Sequence, residues 1–482
     1  MNLSIYERSK EGRIGYFFDP YTLEAYKDTY PIEPTLARVK LPRLPEVSEN
    51  HVVRHFTNLS TRNYGVDTGM YPLGSCTMKY NPKINEVIAS LPQFANSHPS
   101  LDLKYSQGSL QIGYELQEML KELTGMAAIT LQPAAGSQGE LTGLMMIKQY
   151  HLDQNNPNKM NIIIPDSAHG TNPASVSMAG FKAVEIPSNA DGTIDIGRLA
   201  SVVDDNTAGL MLTNPNTLGL FEKDIVKIAE IIHDAGGILY YDGANMNANM
   251  GITRPGEMGF DIVHLNLHKT LSTPHGGGGP GSGPVGVAPS LVTYIPGPVI
   301  VFENDLYQPK QPTNSIGQVK SFYGNFGIYL RAYVYMLAMG GEGLKFASQM
   351  AVLNANYMKE CLKDVYNLPY NTICKHEFVL QGLKNSNGCS TMDVAKRLID
   401  LGVHPPTIYF PLIVDQALMI EPTESESLES INDYIEKLRQ IAEEAISNPE
   451  LLHDAPRTAS VRRLDEVSVA RNPILSYQFE EV

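Results

Sequence analysis

The sequence predicts an α/β protein: a large domain built on a mainly parallel central sheet, then a smaller C-terminal α+β domain. Three observations predict it. Between residues 126 and 288 short apolar runs alternate with amphipathic stretches, the pattern of strands joined by crossover helices. His169, Asn214, Asp242 and Lys269 each fall just after the end of an apolar run, where open parallel sheets place their ligands. Beyond about residue 326 a long helical period leads into a short mixture of strands and helices.

Taken in order, residues 1–60 read as an extended arm. Pro20, Pro31, Pro34, Pro42 and Pro45 recur without period, and Tyr6, Tyr16, Phe17, Phe18 and Tyr21 favour an arm wrapped on a neighbour. Residues 61–326 form the large domain. Its loop 71–82, YPLGSCTMKYNP, is dense in small and polar residues, and structureless loops of that length tend to be functional. A helix is expected over 110–123, a strand over 126–132 and a helix over 141–150. Strands over 161–164 and 182–186 flank a short helix ending at residue 179. Strands over 208–213 and 237–241 flank a helix over 222–235, and strands over 261–265 and 284–288 follow. The small domain, 327–450, opens with a helical region over 327–365, broken near Gly340 and Gly341. Strands over 377–381, 409–414 and 417–421 and helices over 392–401 and 428–446 complete it. Residues 451–482 are a polar tail in which Arg462 and Arg463 read as a solvated face.

Composition narrows the function. The 482 residues carry a net charge of −15 with no basic cluster, so nucleic acid is disfavoured and a small molecule or protein partner is the natural ligand. Cys76, Cys361, Cys374 and Cys389 are scattered, which argues against a disulfide framework and against structural zinc. No apolar run of about 20 residues and no signal-like N-terminus is visible, so the expectation is a cytoplasmic protein without a membrane span.

The stretch 261–286, DIVHLNLHKTLSTPHGGGGPGSGPVG, carries the sharpest chemical signal. A lysine delivered from a buried strand into a glycine-rich turn must be paired or must lose its charge. The use that fits is an amine of lowered pKa that forms a Schiff base with a carbonyl cofactor. Upstream, PAAGSQGE (133–140) feeds small residues into a helix N-terminus, where free N–H groups and the helix dipole face an anion. Gly136, Ser137 and Gln138 are the candidate phosphate contacts, and no Gly-Lys-Ser/Thr follows to make a P-loop. With Asp242 on a strand end before Lys269, this is the equipment of a pyridoxal phosphate site. Lys269 would carry the aldehyde, Asp242 would keep the pyridine nitrogen protonated, His169 would lie against the ring and Ala244 beneath the opposite face. Thr213 and His268, beside those strand ends, complete the candidate set. His264 and His268 are four apart but on a strand-to-loop segment share no face, so no metal site is expected.

Seven motifs then carry a specific resemblance. They are VVRHFTNLSTRNYGVDTGMYPLGSCTMKYNP (52–82), QPAAGSQGE (132–140), DSAHGTNPAS (166–175), YYDGANMNA (240–248), NLHKTLSTPHGGGGPGSGPVGV (266–287), SFYGNFG (321–327) and APRTASVRRLDEVSVARNP (455–473). The chain resembles the glycine decarboxylase P-protein of the glycine cleavage system, in its C-terminal half or second-subunit form. The resemblance implies an aminotransferase-like, fold type I enzyme of glycine catabolism, a glycine dehydrogenase (aminomethyl-transferring). It implies pyridoxal 5'-phosphate held covalently on Lys269, with Asp242 as ring-nitrogen partner, His169 as stacking residue and Ser137 and Gln138 at the phosphate. It implies decarboxylation of glycine and transfer of the aminomethyl group to the lipoyl arm of H-protein, with P-protein subunit 1 completing an α2β2 heterotetramer. Arg457, where many relatives have His, is peripheral. Loop 71–82, with Cys76, is the candidate lining of a tunnel for the lipoyl arm. The competing readings are another fold type I amino-acid decarboxylase or aminotransferase acting alone, and a non-catalytic scaffold subunit. Intact Lys269, Asp242 and His169 argue against the scaffold.

Overall fold

The structure, a computed structural model, describes residues 3–16, 33–40, 42–276 and 280–479. Phe17, Phe18, Tyr21, Pro20 and Pro31 of the expected arm, and residues 277–279 of the glycine run, lie outside the described residues. The chain forms two compact units, residues 66–462 and residues 1–65 together with 463–482. The terminal unit therefore joins the expected arm to the end of the expected tail. Tyr6 stacks on Tyr477 with ring centroids 4.6 Å apart, and Arg43 lies over the Phe479 ring at 4.0 Å. The arm is not extended throughout, because Glu49–Ser60 is helical.

In the larger unit, α1 (Lys83–Ala89) precedes α2 (Leu103–Thr124). The Asp102 carboxylate caps α2 through Lys104 N–H, and Gly125 ends it at φ 72°, a conformation glycine reaches without a Cβ penalty. There follow β1 (Ala128–Thr130), α3 (Gly136–Asp153), β2 (Asn161–Pro165), α4 (Thr171–Met178) and β3 (Lys182–Ile186). Next come α5 (Ile196–Val202), β4 (Thr207–Thr213), α6 (Ile225–Asp234), β5 (Ile238–Gly243) and β6 (Ile262–Leu265). β7 (Val285–Val287) completes a seven-stranded sheet in the order β1-β7-β6-β5-β4-β2-β3. All neighbours are parallel except β7, which runs antiparallel to both β1 and β6. A glycine-rich loop and one helical turn, not a full crossover helix, separate β6 from β7, and a parallel return needs a crossover. β4 and β5 are buried along almost their whole length, as strands covered on both faces must be. The edge strand β3 instead exposes Lys182 and Glu185, charges that discourage further pairing.

Two features depart from the sequence expectation. Residues 299–310 form a hairpin, β8 (Val299–Glu303) and β9 (Leu306–Lys310). Its two-residue turn puts Asn304 at φ 54° and Asp305 at φ 62°, the left-handed pair that matches strand twist. Residues 409–414, expected as a strand, are not one. After α7 (Phe326–Leu362), β10 (Phe378–Gln381) and α8 (Thr391–Asp400), the chain contributes the short β11 (Thr407–Ile408), which pairs with β12 (Ala417–Ile420), itself also paired with β10. Tyr409 turns to φ 57° and Pro411 has no N–H to give a ladder. α7 is interrupted at Gly340, φ 61° and ψ 178°, where the sequence places its break. α9 (Leu428–Ser447) covers the three-stranded sheet β10-β12-β11. Among the described residues no helix is long and apolar enough to cross a membrane.

Candidate active site

Lys269 lies in a single helical turn, Leu267–Thr270, directly after β6, and is 8% exposed. The sequence reading placed it at the strand end; the chain turns helical there because Lys269 N–H and Thr270 N–H both return to Asn266 O. Its Nζ donates to Ser75 O at 2.6 Å.

On the adjacent strand β5, Asp242 is 1% exposed and pairs in register with His264 of β6 and Thr213 of β4. Its carboxylate accepts from Asn172 Nδ2 at 3.0 Å and from Ala244 N–H at 3.1 Å. His264 Nε2 lies 3.2 Å from Oδ1, within ion-pair range but not aligned as a hydrogen bond. Burial alone would raise the Asp242 pKa, but His264, His169 and these donors outweigh it and hold the carboxyl below its ordinary value. The result is a buried carboxylate that stays ionised.

His169 is positioned by the start of α4. Its Nδ1 lies 2.8 Å from Thr171 Oγ1, and Thr171 in turn donates to Glu140 at 2.7 Å. Burial lowers its pKa, with Asp242 opposing and Lys269 reinforcing, so the ring is neutral near neutrality. His268 is also neutral: burial, His275 and Lys269 push it down to about 3.

The sequence expected α3 to begin near residue 141, whereas it begins at Gly136. The N–H groups of Gly136, Ser137 and Gln138 therefore form its first turn, which has no intrahelical acceptors. Gly136 is required here, since a Cβ would stand 2.3 Å from Asn266 Oδ1. Ser137 is exposed. The Gln138 side chain is already committed at both ends, accepting from Ala134 N–H at 2.6 Å and donating to Val319 O at 2.7 Å. What Gln138 can offer an anion is its backbone N–H. Among the described residues, Asn266 Oδ1 and Ser282 Oγ near this turn, and Thr213 Oγ1 in register with Asp242, are buried without partners. Unpartnered polar atoms beside a first helical turn, a buried lysine and an ionised aspartate fit a phosphorylated pyridine aldehyde. Asn214 plays a different part, accepting from Glu222 N–H at 3.0 Å.

The structure also brings to Lys269 a set of residues that the sequence reading did not single out. Ser75 N–H donates to Glu377 at 2.8 Å, and Thr77 N–H to Glu421 at 3.1 Å. Asn245 Nδ2 also reaches Glu421, at 3.1 Å. Lys79, 3% exposed, bonds Glu424 at 2.6 Å, Thr270 O at 2.7 Å and Asn247 at 3.1 Å. A lysine inside the otherwise uncharged loop 71–82 was the available signal. A cavity of about 780 Å³ near Leu123, Arg254 and the Gly340 kink lies away from all these groups.

Comparison with known proteins decides the family. The family model for the glycine cleavage system P-protein matches residues 27–311, and that for the glycine dehydrogenase C-terminal domain matches residues 347–455. A probable glycine dehydrogenase (decarboxylating) subunit 2 of Caldanaerobacter subterraneus subsp. tengcongensis is 58% identical over 481 residues, covering 99% of both chains. That of Staphylococcus haemolyticus is 56% identical over 475 residues, 98% of this chain and 96% of the relative. The chain belongs to the glycine cleavage system P-protein family. Among solved structures, an inhibitor-bound glycine decarboxylase (P-protein) of the glycine cleavage system aligns with TM-score 0.71 at 20% identity, covering 87% of this chain and 94% of that one. A Lactobacillus brevis glutamate decarboxylase aligns with TM-score 0.66 at 14% identity, covering 85% and 95%. The P-protein assignment agrees with the fold type I architecture of the sheet.

Proposed function

We propose that this chain is the pyridoxal phosphate-bearing, glycine-decarboxylating subunit of a glycine cleavage system. It releases CO2 from glycine and passes the remaining aminomethyl group to the lipoyl arm of H-protein, working with P-protein subunit 1 as an α2β2 assembly. The observation that carries this reading is the buried Lys269 beside Asp242, a carboxylate held ionised one strand away.

When bound, the cofactor supplies an electron-withdrawing ring that accepts the electron pair left at the glycine α carbon. The chain's own residues set the conditions. Lys269 is the amine that would hold the aldehyde. Asp242, kept ionised by His264, His169 and Asn172, would hold the proton on the pyridine nitrogen. His169, neutral and steered by Thr171, would present an uncharged face to the ring. The N–H groups of Gly136, Ser137 and Gln138 would receive the phosphate. Thr213, Ala244 and His268 border the same strand ends. Loop 71–82 covers the Lys269 amine through Ser75 O and would help exclude the solvent protons that compete with the disulfide acceptor.

The test mixes this chain with its partner subunit and pyridoxal phosphate. A visible absorption band that borohydride fixes on Lys269 is expected, followed by glycine-dependent CO2 release that requires lipoylated H-protein. Absence of the band under those conditions would leave a scaffold subunit as the better account. CO2 release without H-protein would favour a decarboxylase acting alone.

A further inference from the structure

Glu377 and Glu421 are buried, 4% and 1% exposed, and the two carboxyls and His376 bring one atom each within 4.8 Å of one another. They come from the same end of the antiparallel strand pair β10–β12, Glu377 just before Phe378 and Glu421 just after its register partner Ile420. Each glutamate accepts a backbone N–H from the segment that faces Lys269, Glu377 from Ser75 and Glu421 from Thr77. Both donors sit in left-handed backbone, Ser75 at φ 67° and Thr77 at φ 48°, a conformation that is strained for a residue with a Cβ. The two carboxyls hold that conformation, and it aims Ser75 O at the Lys269 amine.

We propose that Glu377 and Glu421 share one proton and, through Ser75 and Thr77, act as positioning residues for the Lys269 amine. The proposal rests on Lys269 being the cofactor-bearing lysine. Two carboxylates this close and this dry repel each other strongly, so one proton between them is the stable state. Burial raises both, each opposed by its hydrogen-bond donors and by Lys269; Glu421 is pushed up to about 7 and Glu377 well above its ordinary value. Other titratable groups acting on the pair or its surroundings are Lys79, Glu424, Cys76, His376 and Cys374. His376 is neutral, held down to about 3 by burial, and Lys79 is paired with Glu424, so neither replaces the shared proton. Glu421 already accepts from Thr77 and Asn245, which favours a proton over a bound cation. Glu377 Oε1 faces His376 Nε2 at 3.5 Å, and both nitrogens of that ring are buried without hydrogen-bond partners.

That facing pair supplies a clean variant. Glu377→Gln places an amide opposite the unpartnered His376 nitrogen and imitates the protonated acid. Glu421→Gln removes the second site, and Glu377→Ala removes the support for Ser75. Infrared difference spectra of the complex without cofactor, taken across neutrality, are expected to show loss of a buried protonated-carboxyl band in the wild type. The band is absent from the Glu377→Gln difference spectrum. Capture of added pyridoxal phosphate on Lys269, fixed by borohydride and quantified by mass, is expected to change severalfold over the same pH range. Glu377→Gln keeps it at the acid-limb rate at every pH, whereas Glu377→Ala slows it severalfold throughout. A wild-type carboxyl band and capture profile retained in both Gln variants would overturn the proposal. If Lys269 captures no cofactor in any variant while the infrared step remains, the cofactor assignment fails and the shared proton stands.

Discussion

Two sets of buried groups meet at Lys269, and they are built in opposite ways. Asp242, His264, Thr213 and Asn172 sit on adjacent strands and the helix beside them, each placed by its own stretch of sequence. Ser75, Thr77, Lys79, Glu377, Glu421 and Glu424 come from three distant segments and meet only through the fold, with Lys79 and Glu424 345 residues apart in sequence. The strand-borne set ends in a carboxyl pulled below its ordinary value, whereas the loop-borne set ends in carboxyls pushed above it. The same burial thus gives opposite ionisation states. What differs is the neighbour: Asp242 has His264, His169 and amide donors, whereas Glu377 has another glutamate and a His376 held neutral by burial. An enzyme that needs one fixed negative charge and one exchangeable proton around a single lysine has both.

The largest effect tests the point where the two sets meet. Lys269→Ala is expected to reduce glycine decarboxylation by at least about 10³-fold and to abolish borohydride-fixed cofactor, since it removes the anchoring amine. Loss of fixation with retained turnover would break the comparison at its centre. Asp242→Asn comes next, at about 10²- to 10³-fold in kcat for glycine, with the fold intact. The Asn carbonyl can still accept from Ala244 N–H, so the charge is lost while the turn is kept. Denaturant unfolding beside the kinetics separates the charge from packing.

This contrast also sets what the sequence could yield. The alternation of apolar runs placed the strands of the central sheet within about two residues, because fully buried parallel strands must be apolar along their length. The positions of Asp242, His169 and Lys269 just beyond strand ends were legible. The hairpin 299–310 was missed although Asn304-Asp305 is a fair turn signal, and a strand was expected at 409–414, where Pro411 argued against one. The buried glutamates were invisible for a different reason. Glu377 and Glu421 look like ordinary strand-end acids, and nothing local says that Ser75 or Thr77 will reach them. Long-range polar pairing leaves no periodicity to read.

The third expectation concerns stability of the cofactor-free protein. Glu421 titrates near 7 in the folded chain, against 4.5 for an ordinary glutamate. The unfolded state releases its proton first as pH rises, so Glu421's stabilising contribution is complete below about 4.5 and is lost as pH climbs through about 7. Asp242 has the opposite sign, since its lowered pKa adds stability that is lost as pH falls through its folded value. Urea midpoints across pH 4.5 to 7 are expected to fall more steeply for the wild type than for Glu421→Gln. Parallel curves would remove the contrast between the two sets.

Cys76 provides the smallest expected effect and the sharpest limit on the loop's role. It sits between the two pinned residues, with its N–H on Leu73 O at 3.3 Å. Burial raises its thiol pKa, Lys269 opposes this, and Glu421 and Glu377 reinforce it. A raised thiol is a poor nucleophile and a poor partner for a disulfide, so the loop supplies a wall and a carbonyl rather than redox chemistry. Cys76→Ser is therefore expected to change stability by no more than about 1 kcal/mol and to leave glycine turnover nearly unchanged. Alkylation of Cys76 by iodoacetamide near neutrality should be slow compared with a free thiol. A large loss of H-protein-dependent turnover in a well-folded Cys76→Ser variant would mean that the loop takes part in the chemistry. The division between a charge-holding strand set and a position-holding loop set would then have to be redrawn around the thiol.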